Sequence, residues 1–344
     1  MAKKIRVAIN GFGRIGRAFL KVARERKEIE VVAINDLGNA ANLAYLLKYD
    51  SAYGVSPFDV KASADGKSIE IDGQKVAFVQ EKDATKLPWK DLEIDVVVES
   101  TGLFTDFAKA KVHIDAGAKR VVITAPAKGD PASEAMGATI LMGLNEDRFA
   151  SANITSNASC TTNAGSPLMA ILDEKLGIEK ALLNTVHAYT ASQSIVDGPS
   201  KKDLREGRAA AQNIVPSSTG AAIAVTKALP QLANKFDGIS IRVPVVVGSI
   251  VDVTFLSKKK TSAEEVNKIL IDAAKEDRWK NIFAVSHEPL VSSDIKGNPH
   301  ASIVDLEMTR VVDGDLVKVL AWYDNEMGYT HTLVEHVIKA GRLI

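Results

Sequence analysis

The sequence predicts two domains of different class. Residues 1–158 read as an α/β domain on a doubly wound parallel sheet, and 159–324 as an α+β domain with a mainly antiparallel sheet; 325–344 read as a C-terminal helix returning to the first domain. Three observations carry this expectation. Strand-like and helix-like patterns alternate through the first domain, the signature of parallel strands joined by crossover helices. After Cys160 the strand-like runs lengthen and are joined by turn signals. A length of 344 residues suits about two hydrophobic cores.

In the first domain, "IRVAIN" (Ile5–Asn10) is short, apolar and rich in β-branched residues, as a buried strand should be. "GFGRIGRAFLKVARER" then turns tightly and becomes a helix with Ile15, Phe19 and Val22 on one face. "EVVAIND" (30–36), "DVVVEST" (95–101) and "KRVVITAPA" (119–127) read as further strands, with "FAKAKVHIDAGA" (107–118) a short helix between the last two. In the second domain a helix begins at "TTNAGSPLMAILDEKL", and "ALLNTVHAYT" (181–190) is a strand-like run. A polar, loop-like stretch follows over much of 188–222, and loops of that length are uncommon unless functional. "ISIRVPVVVGSIVDVTFLS" (239–257) reads as one long β stretch, and "SAEEVNKILIDAAKEDRW" (262–279) as an amphipathic helix. "SIVDLEMTRVVDGDLVKVLAWYDNE" reads as two strands joined at Asp313–Gly314, a hairpin signal, and "THTLVEHVIKAGRLI" as the final helix.

Composition narrows the functional classes. Lys plus Arg equals Asp plus Glu, at 43 each, so no whole-molecule field gathers nucleic acid or anionic lipid. An anionic ligand must be held by a local constellation. The single cysteine rules out an internal disulfide and a cysteine-cluster metal site, and no metal is expected. The apolar run near the N-terminus is short and broken by Arg6 and Asn10, unlike a secretory leader. No stretch approaches the roughly 18 apolar residues of a membrane span, and a cytoplasmic protein is expected.

Gly11-x-Gly13-x-x-Gly16 follows a strand and opens a helix. Gly11 suits the tight turn, Gly13 a close approach of pyrophosphate, and Gly16 close packing of helix on sheet. Phosphates would sit on free N–H groups at the helix N-terminus. Asp36 ends the second strand, where a carboxylate grips a ribose hydroxyl and repels a 2′-phosphate, so NAD is expected over NADP.

Cys160 stands at a helix start, where the dipole and nearby N–H groups favour a thiolate and can stabilise an oxyanion. His187, at the end of its strand-like run, is the candidate base. A thiol midpoint below the usual value of about 8.5 is expected for such a pair. Each residue alone has an ordinary structural reading; the joint pattern outweighs it.

That pattern resembles the phosphorylating glyceraldehyde-3-phosphate dehydrogenases. "INGFGRIGR", "LLKYDS", "SNASCTTN", "HAYT", "NIVPSSTGAA", "IRVP" and "WYDNE" stand in that family's order and spacing along nearly the whole chain. The resemblance implies a Rossmann cofactor domain, a homotetramer, and a reaction of glycolysis or gluconeogenesis. In it Cys160 attacks glyceraldehyde 3-phosphate, His187 activates the thiol, NAD takes the hydride, and inorganic phosphate releases the acyl group from the thioester. It implies that Arg14 and Ile15 meet the cofactor pyrophosphate, Asp36 the adenosine ribose and Lys82 the adenine side. Thr124 would lie near the nicotinamide half and Asn325 would hold the carboxamide. Thr190 and Arg242 would bind the substrate phosphate; Ser159, Thr161, Thr219, Gly220 and Arg205 would surround the attacking phosphate and the substrate. Arg242 sits inside an apolar strand pattern, which argues against idle exposure. Three positions depart from the family: Ile223 for a lysine, Met327 for a tryptophan and Ala164 for a second cysteine. Two alternatives stay open: an erythrose-4-phosphate dehydrogenase on the same scaffold, and an RNA-associated binding protein without catalysis.

Overall fold

The computed structural model describes residues 3–129, 137–200 and 203–344. The chain divides into two compact units, one of Met1–Ile140, Glu146–Ala158 and Thr330–Ile344, the other of Leu141–Asn145 and Ser159–Tyr329.

The first unit is built on a nine-stranded sheet in which Ile5–Asn10 is flanked by Ile29–Asn35 on one side and Val96–Glu99 on the other. Both pairings are parallel, so the chain order reverses at the first strand. A crevice opens at the carboxyl ends of strands on either side of such a reversal. The strands are apolar on both faces, as sheets covered by helices require. Gly11 follows the first strand, has φ of 95°, and a Cβ there would stand 2.7 Å from the Ser100 carbonyl carbon. The turn therefore passes directly against the end of the Val96–Glu99 strand. The helix Arg14–Ala23 follows, starting at Gly13 with no side-chain cap.

Elements fall within a few residues of their expected places, with informative exceptions. The expected 107–118 helix is two short turns, Phe107–Ala110 and Val112–Asp115. The helix Ala40–Lys48 and an antiparallel edge of Val60–Ala62, Ser68–Ile71 and Gln74–Val79 have no counterpart in the sequence reading. At the C-terminus, residues of Met327–Gly341 pack into the first unit. His336 meets Thr155 Oγ1 at 2.7 Å and Asn157 Oδ1 at 3.1 Å.

The second unit holds a seven-stranded sheet with four antiparallel and two parallel pairings. One face packs on the helices Cys160–Leu176, Ala221–Ala228 and Ala263–Ala273. Leu168, Met169 and Leu172 of the first helix are fully buried, as are Val251, Val253, Val317 and Val319 of the sheet. The expected β stretch 239–257 is cut into Phe236–Val243 and Ser249–Ser257. Pro244 offers no N–H to a ladder, and Gly248 at φ of 95° turns the chain. The hairpin of Ser302–Val312 and Leu316–Tyr323 turns through Asp313 and Gly314, both in the left-handed region. The 188–222 stretch is mainly irregular, with a 3-10 turn at Leu204–Gly207 and a strand at Val215–Ser218; Lys201 and Lys202 lie outside the described residues.

No helix among the described residues is long and apolar enough to cross a membrane, and no group of three or more His, Cys, Asp or Glu is placed to hold a metal ion.

Candidate active site

Cys160 is the first residue of its helix. Ser159 caps that helix, its Oγ accepting from Thr162 N at 3.1 Å. Ala158, just before, holds φ of 54°, a left-handed conformation that costs a non-glycine residue roughly 1 kcal/mol. The chain thus reaches the thiol through a strained step followed by a capped helix start.

His187 comes from the neighbouring sheet. Its Nε2 lies 3.3 Å from Cys160 Sγ. The strand Ile178–Ala188 pairs in parallel with Phe236–Val243, and the register sets His187 beside Arg242. Alternation along both strands turns Thr185, His187, Ser240 and Arg242 to the helix-covered face. Arg242 Nη1 stands 2.6 Å from His187 Nδ1, which also lies 2.6 Å from the Ala188 carbonyl oxygen.

Electrostatics here depart from the sequence expectation. Burial pushes the Cys160 thiol up, and this outweighs the Arg242 charge and the Thr161 hydrogen bonds that favour the thiolate. Burial also lowers His187 to about 3, helped by the adjacent Arg242 guanidinium. The helix start does act as expected on the thiol, but it is the smaller effect. Burial is thus the largest influence on each group, and the two stand close enough to exchange a proton directly.

Sequence reasoning missed Tyr323. Its buried hydroxyl meets Thr161 Oγ1 at 2.9 Å and Thr185 Oγ1 at 2.7 Å, and its ring stands edge-on to His187. It ties the thiol's helix to the histidine's strand. The signal was available: in "VKVLAWY", Val317, Val319, Ala321 and Tyr323 alternate onto the core face. Ser249 was missed too. It donates to Asn325 Oδ1 at 3.1 Å and accepts from Ala188 N at 3.1 Å, so it links Asn325 to the histidine's strand. Asn325 Oδ1 also accepts from Gly248 N, which turns its amide nitrogen away from these contacts.

The remaining candidates of this unit lie at loop ends. Thr190 Oγ1 stands 3.0 Å from Ser192 Oγ, and its N–H donates to Gln193 Oε1. Arg205 is exposed on the 3-10 turn, where Ser217 donates to Glu206 Oε1 at 2.8 Å and fastens that turn to the strand Val215–Ser218. Thr219 accepts from Ala221 N at 3.2 Å, and Gly220 opens the Ala221–Ala228 helix with no side-chain cap. No hydrogen bond joins Thr190 to Arg242, or Arg205 to Thr219. Of the departures, Ala164 is fully buried, Ile223 is exposed and Met327 is half-buried.

In the first unit the cofactor candidates can be tested against the space they leave. A Cβ at Gly13 would meet nothing within 4 Å, whereas one at Gly16 would stand 2.2 Å from the Gly11 carbonyl oxygen. The loop is closed underneath and open above, next to uncapped helix N–H groups. Asp36 Oδ2 accepts from Phe12 N at 2.7 Å and Oδ1 from Gly38 N at 2.8 Å, which leaves lone pairs for a hydroxyl. These residues fit a dinucleotide. Arg14, beside Ile15, pairs with Asp50 at 3.2 Å; Thr124 follows the strand Arg120–Ile123; Lys82 is exposed.

Beneath this loop lies a buried network absent from the sequence reading. Glu99 accepts from Asn10 Nδ2 at 2.6 Å, from Thr101 N at 2.9 Å and from His113 Nε2 at 3.0 Å. Trp89 Nε1 donates to His113 Nδ1, which fixes the histidine proton on Nε2, facing the carboxylate.

Residues 5–107 match the model of the NAD binding domain of glyceraldehyde 3-phosphate dehydrogenase, and 159–325 that of its C-terminal domain. The chain belongs to this family. Family relatives named "Glyceraldehyde-3-phosphate dehydrogenase" include one from Mycobacterium avium, 47% identical over 345 residues, which span 98% of this chain and 99% of the relative. One from Mycobacterium tuberculosis is 48% identical over 344 residues, with the same coverage. "Glyceraldehyde-3-phosphate dehydrogenase 2" of Kluyveromyces marxianus is 48% identical over 334 residues, 97% of this chain and 98% of the relative.

Proposed function

We propose that this protein is an NAD-dependent, phosphorylating glyceraldehyde-3-phosphate dehydrogenase of glycolysis or gluconeogenesis, with Cys160 as nucleophile and His187 as its base. The observation that carries this reading is the 3.3 Å approach of His187 Nε2 to Cys160 Sγ at a helix start, in a chain of this family. Cys160 Sγ bonds to the aldehyde carbon and its proton passes to His187 Nε2. The carbonyl oxygen gains the electron pair, facing the N–H groups of the first helical turn. When bound, NAD accepts the hydride that leaves this carbon. Inorganic phosphate then attacks the thioester, and Cys160 departs as the leaving group.

Gly11, Gly13, Gly16, Arg14 and Ile15 hold the cofactor's pyrophosphate, Asp36 its ribose and Lys82 its adenine side; Thr124 and the Asn325 amide serve the nicotinamide end. Thr190 and Arg242 take the substrate phosphate. Ser159, Thr161, Arg205, Thr219 and Gly220 serve the attacking phosphate. We read the assembly as a homotetramer, supported by the uncovered sheet face of the second unit, where Leu182 and Ile239 are 66% and 55% exposed. A cytoplasmic setting suits a mechanism that needs its one thiol kept reduced.

NADH formation from glyceraldehyde 3-phosphate, with and without phosphate, tests the reading in wild type and Cys160→Ser. Activity should saturate with phosphate and collapse in the variant, which should still bind NAD. Turnover indifferent to phosphate would favour a water-accepting erythrose-4-phosphate enzyme, and an active Cys160→Ser protein would defeat the covalent route.

A further inference from the structure

One buried hydroxyl in the second unit supports two of the candidate residues at once. Ser249 opens the strand Ser249–Ser257, whose antiparallel ladder with Ile178–Ala188 ends at the pair Val186 and Ile250. Beyond that pair a side chain takes over: Ser249 Oγ accepts from Ala188 N at 3.1 Å. The Ala188 carbonyl oxygen in turn lies 2.6 Å from His187 Nδ1. It can receive a proton on that nitrogen whether the ring is neutral or charged. Ser249 thus holds the residue that orients the imidazole, whose Nε2 stands 3.3 Å from Cys160 Sγ.

The proton of the same hydroxyl goes to Asn325. Asn325 Oδ1 accepts from Ser249 Oγ and from Gly248 N, each at 3.1 Å. Gly248 has little room to shift: its φ is 95°, and a Cβ there would stand 2.4 Å from the Ser292 carbonyl oxygen. These two donors decide which end of the amide is which, because turning it over would set Nδ2 against the Gly248 N–H. Nδ2 is left with no hydrogen-bond partner among the described residues. An amide end that only donates takes a carbonyl oxygen and rejects an amino group, so it receives a primary carboxamide in one sense only.

We propose that Ser249 is a positioning residue shared by both halves of the reaction: through Asn325 it sets the sense in which the cofactor carboxamide is held, and through Ala188 it sets the imidazole that serves Cys160. The inference rests on the reading of Asn325 as the partner of that carboxamide. The face of a nicotinamide ring that takes hydride follows from the side to which its carboxamide is turned. Without the hydroxyl, Asn325 Oδ1 keeps one donor and the Ala188 N–H loses its acceptor, so both orientations loosen together. A side chain that merely filled space would influence neither the face of transfer nor the thiol.

The test compares wild type with Ser249→Ala, Ser249→Thr and Asn325→Ala, each first shown to be folded by its thermal transition. Glyceraldehyde 3-phosphate deuterated at the aldehyde carbon is turned over once, and proton magnetic resonance of the NADH shows which face of the ring received the deuterium. Calorimetry of NAD binding and iodoacetamide alkylation of Cys160 in the NAD-free protein run in parallel. Wild type should label one face. Ser249→Ala should label both, bind NAD about fivefold more weakly and alkylate about fivefold more slowly, each the value of one neutral hydrogen bond. Ser249→Thr keeps the hydroxyl and should restore single-face labelling, which a loss of packing alone does not predict. Single-face labelling by Ser249→Ala, with both labels seen in Asn325→Ala, overturns the proposal and leaves the carboxamide reading standing. Single-face labelling and unchanged NAD affinity in Asn325→Ala remove that reading, and the role of Ser249 with it. An alkylation rate equal to wild type in Ser249→Ala overturns the shared role by removing its histidine half.

Discussion

Acidification should weaken the first unit through one buried histidine, His336. Its ring is fully buried, with Thr155 Oγ1 at Nε2, Asn157 Oδ1 at Nδ1 and the edge of Phe149 across its face. Burial and nearby Lys339 lower it to about 3, against 6.5 for an ordinary histidine. The neutral ring belongs to the folded state, so the unfolded chain binds the extra proton. Stability from this group is complete above 6.5 and falls as pH drops from 6.5 toward 3. At pH 5 the unfolded histidine sits 1.5 units below its midpoint, so the loss is about 2 kcal/mol at 1.36 kcal/mol per unit. For a unit of this size that lowers Tm by roughly 4–8 °C. The control is His336→Gln, whose amide can serve both neighbours and does not titrate. Scanning calorimetry at pH 7 and pH 5, with NAD omitted, should show a larger acid penalty in wild type than in the variant. His187, also held at about 3, adds its own penalty to both proteins and cancels in the comparison. Equal penalties in the two proteins would refute the account.

Three further outcomes follow from other contacts. Asp36→Ala should narrow the preference for NAD over NADP in kcat/KM and also weaken NAD itself, because the carboxylate holds the Phe12 and Gly38 N–H groups; an unchanged NAD-to-NADP ratio would contradict the ribose role. Tyr323→Phe removes two buried hydrogen bonds at Thr161 and Thr185; since Thr185 keeps the Ile250 carbonyl, guanidinium unfolding should report a loss of about 2 kcal/mol, and a change below about 0.5 would refute the bridge. Glu99→Gln sets an amide N–H against the donors of Asn10, Thr101 or His113, and calorimetry should show NAD binding weakened while Cys160 alkylates at its normal rate; unaltered NAD affinity would show that the network does not support the loop.

Much of the architecture was legible because its signals are local. The glycine fingerprint, the Ser159 cap and the Asp313–Gly314 turn each depend on neighbours in sequence. So did a hairpin that the sequence reading passed over: Asp72 and Gly73 are both left-handed between two alternating runs, a readable turn signal. The break at Pro244 was equally available. Non-local features stayed hidden. Arg242 could be recognised as an arginine inside an apolar strand, but its place beside His187 is set by strand register. Glu99, His113 and Trp89 come from separate elements, and nothing local marks them as partners. The upward pull of burial on the thiol stayed hidden for a related reason: the helix start is written locally, whereas burial is the sum of everything packed around it.

The pairing of His187 with Arg242 across two parallel strands also bears on how the protein is made. Residues 181–188 meet 236–243, so the contact closes only after a long intervening segment has been synthesised and folded back. Until then Cys160 has neither the guanidinium nor a fixed imidazole beside it and behaves as an ordinary thiol. A slip of one residue in either strand would turn that strand's side chain to the opposite sheet face and part the two residues, leaving a compact chain with an idle cysteine. Turnover at Cys160 is therefore a report on register: a newly made molecule acquires it only when its central strands have aligned, and slipped molecules in a refolding mixture could be counted as compact protein that forms no NADH.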